Sequence, residues 1–203
     1  MNGHDLILSY TVFCLIMATT PGPNNMMVLA SGVRFGSRRT LPLILGIAVG
    51  MAVLFGATGS GLGAAFKALP LLALVLRLLS AGFLLWLAWK IATAGPLKQD
   101  QTDLKILGFP TGVGFQWINP KAWAAAMTAA STYLPADAGA VTIGVGAAII
   151  ALAALFATTI WMTFGLLISR FLHDPRRAQA FNIVMAVLLL ASTLPILFGK
   201  LAI

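Results

Sequence analysis

Apolar residues run almost without interruption through six stretches, 6–33, 41–66, 69–94, 109–134, 139–169 and 178–198. Each is long enough for a helix to cross a hydrocarbon core of about 30 Å, which takes roughly 20 residues. The runs are continuously apolar instead of alternating with period two, so helices are predicted and barrel strands are not. The fifth run is the longest, which predicts a tilted helix or one that starts in the interface.

The one sizeable polar stretch, residues 95–108, carries Lys98, Gln99, Asp100, Gln101, Asp103 and Lys105. It divides the chain into a first three-helix half (1–94), a cytoplasmic linker (95–108) and a second three-helix half (109–203). Three is odd, so duplicated halves lie upside down relative to each other, the form of an inverted-repeat transporter. The predicted fold class is an all-α integral membrane protein: six transmembrane helices as two inverted three-helix repeats.

Two of the runs are interrupted. The first contains Thr19-Thr20-Pro21-Gly22-Pro23-Asn24-Asn25. Pro21 and Pro23 remove two backbone donors and disfavour helix at the residues before them, and Gly22 adds freedom between them. A helix that simply stopped at Thr20 would hold 15 residues from Leu6, about 22 Å, which is too short to cross. A broken spanning helix is therefore predicted.

The fourth run contains Gln116-Trp117-Ile118-Asn119-Pro120-Lys121. A helix starting at Ala122, with Lys121 snorkelling to the surface, would again be too short. Inside an unbroken run Lys121 falls near the midplane, where an ionisable group is costly and faces a cavity or a partner. Asp5, Asp100, Asp103, Asp137 and Asp174 all lie at ends or in loops, so no span carries a carboxylate to pair with it. A basic site for a ligand carboxylate is favoured over snorkelling.

The breaks occupy the first span of each half, and discontinuous helices at matching positions point to a transporter site. Half-helix N-termini offer amides to a carboxylate, and half-helix C-termini offer carbonyls to an ammonium. A zwitterionic amino acid matches both.

Composition agrees with this picture. The chain has 203 residues, 60% hydrophobic and only 9% charged, with a mean hydropathy of +0.96. That leaves almost nothing for a soluble domain. Thirteen Lys and Arg stand against five acids, all Asp, for a net charge of +8. In a chain this apolar the surplus reads as anchoring of cytoplasmic loops and not as a nucleic-acid surface.

With the N-terminus outside, nine basic residues (Arg34, Arg38, Arg39, Lys90, Lys98, Lys105, Arg170, Arg176, Arg177) fall on the cytoplasmic side and three (Lys67, Arg77, Lys200) on the other, Lys121 being unassigned. Both termini are thus expected on the extracytoplasmic side. The segment 1–5 has no basic residue for a signal-peptide start, so an uncleaved first span is expected. The lone Cys14 excludes an internal disulfide, His4 and His173 lie too far apart in sequence for a zinc site, and no cofactor is expected.

At the two breaks the sequence resembles the LysE/RhtB family of amino-acid exporters. Pro21-Gly22-Pro23-Asn24 matches one family signature and Asn119-Pro120-Lys121 another. Gly32-Val33-Arg34-Phe35-Gly36 resembles the first cytoplasmic loop, and Leu87-Ala88-Trp89-Lys90 the end of the third span. The likeness covers the whole chain in length, span count and motif order. It implies export of amino acids or derivatives across the bacterial cytoplasmic (inner) membrane, driven by the proton gradient. Within the family, residues 20–25 and 86–93 look closest to one subgroup of exporters, although the second stretch lies mostly at a helix end and says little about substrate.

The leading reading is a secondary transporter with alternating access. Lys121 takes the substrate carboxylate, and Asn24, Asn25 and Asn119 orient the substrate. Pro21, Gly22, Pro23 and Pro120 break the helices. If protons are coupled, Lys121 is the candidate group.

Several side chains keep two readings. Asn24 and Asn25 either bind substrate or cap the restarted half-helix, and Gln116 and Asn119 share that ambiguity. Thr19 and Thr20 are expected to bond to the preceding turn. Trp117 and Trp123 either wall a cavity or pack, while Trp161 reads as packing. Gly46 and Gly50 form a small-xxx-small face for close packing inside a protomer or between protomers of a homo-oligomer. Gly59, Gly61 and Gly63 are expected to loosen the outer end of the second helix. Pro175 opens the last helix, His173 reads as a loop histidine, and Cys14 as buried packing.

Two other classes compete. A channel for small zwitterions would conduct continuously, whereas a transporter saturates. An intramembrane enzyme lacks a nucleophile–base pair: Ser131 lies ten residues from Lys121, about 15 Å along a helix.

Overall fold

Proline opens α2, α3, α5 and α7, where its missing N–H costs no bond and its fixed φ suits the first turn. The computed structural model describes residues 3–62, 70–93, 107–135, 137–172 and 174–198. Among these, regular structure is helical throughout: α1 (Gly3–Thr19), α2 (Pro23–Ala57), α3 (Pro70–Ala92), α4 (Phe109–Ile118), α5 (Pro120–Tyr133), α6 (Ala140–Ser169) and α7 (Pro175–Phe198). A wider π-type turn, Thr58–Leu62, continues α2, with Gly61 at φ 104°. The turn loosens this end of the helix, as its glycines predicted; Gly63 lies outside the described residues.

Both predicted interruptions are present. Residues 20–22 separate α1 from α2, and Asn119 alone separates α4 from α5. The expected loop around Arg34–Arg39, by contrast, is reduced to one hinge. Gly36 has φ 74° and ψ −179° with helix on both sides, a backbone state that glycine adopts without steric cost. Ser31 Oγ and Thr40 Oγ1 lie 2.9 Å apart, although nine residues of straight helix would separate them by about 13 Å. The chain therefore folds back at Gly36, and α2 has two arms, 23–35 and 37–57.

Each interrupted helix follows a long helix of the other half. Tyr10 donates to Gly146 O (2.8 Å), Trp161 donates to Thr19 O (3.2 Å), and Gly165 packs on the backbone of Leu29 and Val33. The sequence 10, 19, 29 thus runs beside 146, 161, 165: α1 and the first arm of α2 run parallel to α6. Likewise Gly46 meets Phe109, Gly50 meets Val113 and Gly59 meets Leu134, so α4 and α5 run parallel to the second arm of α2. Because the two arms of α2 are antiparallel, the two interrupted helices run in opposite directions. α3 packs on α7.

Gly46 and Gly50 therefore serve packing inside the protomer. Cys14 is buried in the core, also as expected. Asp174 Oδ1 accepts from Arg176 N (2.8 Å), capping α7; His173 lies outside the described residues.

Among the described residues two segments are long and apolar enough to cross a membrane, Pro23–Gly61 and Ala140–Ser169. Only 28% of the most apolar 18-residue window of α6 is buried, and Val145, Leu152, Phe156, Phe164 and Leu167 are exposed along it. An apolar helix left uncovered by protein requires lipid around it.

Seven of the described basic residues gather at one end, apart from Arg77 near the start of α3 and Lys121 at the second break. Val33, beside Arg34, packs with Leu172 and Ala178, and Gln179 donates to Ala92 O at the end of α3 (3.1 Å). Arg34, Arg38, Arg39, Lys90, Arg170, Arg176 and Arg177 consequently share that end. Lys67, Lys98, Lys105, Lys200 and nearly all of the 95–108 linker lie outside the described residues.

Candidate functional site

The first break leaves α1 with carbonyls that no following helical turn can use, because Pro21 and Pro23 carry no N–H. Side chains from three elements satisfy them. Asn25 Nδ2 donates to Ala18 O (2.8 Å) and Thr20 O (2.9 Å). Trp161 Nε1 of α6 donates to Thr19 O. Lys121 Nζ of α5 donates to Thr20 O (2.6 Å) and Pro21 O (3.2 Å). The Thr19 and Thr20 hydroxyls bond back to Leu15 O and Ile16 O, as expected.

The second break is held by its own residues. Asn119 sits at φ −85°, ψ 107°, and its Oδ1 accepts from Lys121 N (3.1 Å), capping α5. Trp123 Nε1 reaches back over the break to Trp117 O (2.8 Å), and the two rings meet edge-on at 6.0 Å. The two breaks are joined by a reciprocal amide pair: Asn24 Nδ2 donates to Gln116 Oε1 (2.9 Å), and Gln116 Nε2 donates to Asn24 Oδ1 (3.1 Å) and to Gly112 O (2.9 Å). Gln116 is fully buried, so these bonds replace water it cannot reach.

All four predicted binding residues, Asn24, Asn25, Asn119 and Lys121, line one cavity of about 50 Å³. That exceeds the roughly 10–15 Å³ a cavity needs to admit water. Its other walls include Gly22, Pro23, Cys14, Met17, Met51 and Thr158. Pro21 reaches the site only through its carbonyl on Lys121, and Pro120 acts as the first residue of α5.

The predicted residues divide by their bonding. Asn24 is taken up by Gln116. Asn25 caps a helix, but the one that ends and not the one that restarts. Asn119 caps through Oδ1, while its Nδ2, on a residue 1% exposed, has no acceptor among the described residues. Gly22, preceding α2, supplies no side-chain cap to that helix. Among the described residues no carboxylate lies within ion-pair distance of Lys121, the one such pair being the exposed Arg177–Asp174.

Sequence reasoning missed Trp161, whose indole N–H looks like any packing tryptophan until α6 is seen to pass the end of α1. It also missed Thr158, which lines the cavity with its hydroxyl returned to Ala154 O (2.6 Å). No local pattern marks either residue.

Comparison with known proteins bears on the same residues. A family model described as "LysE type translocator" matches residues 15–199. A cysteine/O-acetylserine efflux protein of Salmonella paratyphi A is 33% identical over 189 residues, covering 91% of this chain and 93% of that protein. One of Escherichia coli K12 is 31% identical over 188 residues, with 91% and 93% covered. These efflux proteins are the subgroup that residues 20–25 and 86–93 resemble. No solved structure matches the chain significantly.

Proposed function

The chain belongs to the LysE type translocator family, a transporter and not an enzyme, and on that premise we propose that it exports amino acids or amino-acid derivatives from the bacterial cytoplasm across the inner membrane. The observation that carries this reading is the meeting of the two helix breaks: Lys121 of one bonds to the carbonyls of the other beside a cavity that both breaks line. Small zwitterions such as cysteine and O-acetylserine, named for the relatives, suit a cavity this small.

In the proposed mechanism six spans form two inverted three-helix repeats, and access alternates around the breaks. The opposite run of the two interrupted helices supports the inversion, as does the way each follows a long helix of the other half. Lys121 takes the substrate carboxylate, while Asn25 and Asn119 orient it. Asn24 acts through Gln116 by holding the breaks together. The proton gradient supplies the drive.

Counterflow in proteoliposomes tests the reading. Labelled L-cysteine or O-acetyl-L-serine should accumulate against unlabelled substrate with saturable kinetics. Absence of exchange across a panel of amino acids would overturn the exporter reading, and flux linear in concentration would mean a channel.

The shared basic end supports a cytoplasmic placement of Gly36, Lys90 and Arg170–Arg177, with both termini on the far side. A reporter fused after Ile203 should therefore be active only outside the cytoplasm; cytoplasmic activity rejects this orientation.

A further inference from the structure

We propose that the carbonyls ending α1 form the substrate's ammonium site, and that Lys121 occupies this site as a built-in stand-in until a zwitterion displaces it. This rests on the transport reading above and deepens it.

The geometry is that of an ammonium site already filled. A helix C-terminus carries partial negative charge, concentrated on carbonyls without intrahelical partners. Thr20 O and Pro21 O are two of these, and Lys121 Nζ lies 2.6 and 3.2 Å from them. A lysine ammonium and the ammonium of an amino acid present the same three N–H donors. Asn25 Nδ2 is bound to the same Thr20 O, and its Oδ1 has no donor among the described residues. The lysine reaches the site by lying across Gly22, where a Cβ would meet Lys121 Cδ at 2.9 Å and Nζ at 3.0 Å. The cavity opens beside it.

Exchange with a zwitterion leaves every group paired. The incoming ammonium takes Thr20 O and Pro21 O. The released Lys121 pairs with the incoming carboxylate, whose second oxygen can accept from Asn119 Nδ2. No described carboxylate offers Lys121 another ion pair. A simple organic cation could displace Lys121 but would leave two positive charges together. An anion could pair with Lys121 but would strip the carbonyls of their donor. A charge or carbonyl that gives up its partner without gaining another loses affinity. The exchange thus selects for substrates carrying both charges.

Removing the stand-in should expose the site to a free ammonium ion. In the purified full-length protein, n-propylammonium chloride at matched ionic strength should raise the thermal midpoint of Lys121→Ala and of Lys121→Met by about 3 °C. It should leave the wild type within about 1 °C. Tetramethylammonium, which has no N–H donor, should move none of them. Lys121→Met keeps most of the stem and guards against failure of the alanine variant to fold. Gly22→Ala, which retains Lys121 and presses on it, should show a smaller rise and gives a third variant. Equal responses in wild type and variants, no rise in any variant, or an equal effect of tetramethylammonium would overturn the proposal. None of these readings requires transport, so a failed counterflow assay and a failed ammonium response are distinguishable.

Discussion

Lys121→Ala is expected to reduce counterflow of the transported amino acid by about two orders of magnitude while leaving a folded protein. A hydrogen bond to a charged group is worth about 1.5–3 kcal/mol, so loss of the carboxylate's cation alone accounts for roughly tenfold to a hundredfold. The variant also loses the donor that caps Thr20 O and Pro21 O between substrates, which removes one defined resting state of the site. Stability should fall by only about 1–2 kcal/mol, because Asn25 still donates to Thr20 O and to Ala18 O. The measurement is initial counterflow rate per folded molecule, with thermal melting as the control. Lys121→Ala retaining more than about a third of the wild-type rate, well short of one lost charged bond, would remove Lys121 from the site. Lys121→Arg is not expected to rescue it. The planar guanidinium is a poor match for a position where a compact ammonium lies across Gly22.

The interruptions were legible because proline and glycine act locally: Pro21 and Pro23 withhold backbone donors, Gly22 frees the chain between them, and Pro120 starts a new helix. The partners of each break were not legible. Lys121 reaches Thr20 across 101 residues and Asn24 reaches Gln116 across 92, and such contacts depend on how helices pass each other, which hydropathy does not encode. Sequence reasoning gave Lys121 no carboxylate in the spans, yet an ammonium can be satisfied by backbone carbonyls, and every chain has those at a broken helix. Asn25 shows the same limit. An asparagine after Pro-Gly-Pro suggests a cap for the helix that follows, but the side chain serves the helix that precedes. The turn at Gly36 was masked by its charged neighbours, which resemble a loop although one positive-φ glycine completes the reversal.

Small residues on the second arm of α2 lead to the largest expected loss of stability. A Cβ on Gly46 would collide with Phe109 O and lie 3.0 Å from Phe109 Cα, and one on Gly112 would lie 2.6 Å from Leu43 O and 2.7 Å from Ile47 N. All four are backbone atoms, so no side-chain rotation relieves the clash; α4 must move away from α2 by about 1 Å to reach an ordinary contact. That displacement carries Gln116 from Asn24 and disturbs the capped break at Asn119. Gly46→Ala and Gly112→Ala should each lose about 2–3 kcal/mol or more, since packed backbones cannot absorb the added methyl. Gly114 is the internal control. It lies on the same short helix with nothing within 4 Å of its Cβ direction, so Gly114→Ala should match the wild type or gain up to about 1 kcal/mol from helix propensity. Melting of the three variants in one detergent, with the folded fraction measured by size exclusion, separates the cases. If Gly46→Ala and Gly112→Ala melt with Gly114→Ala, the close crossing of α2 and α4 does not hold the second break in place.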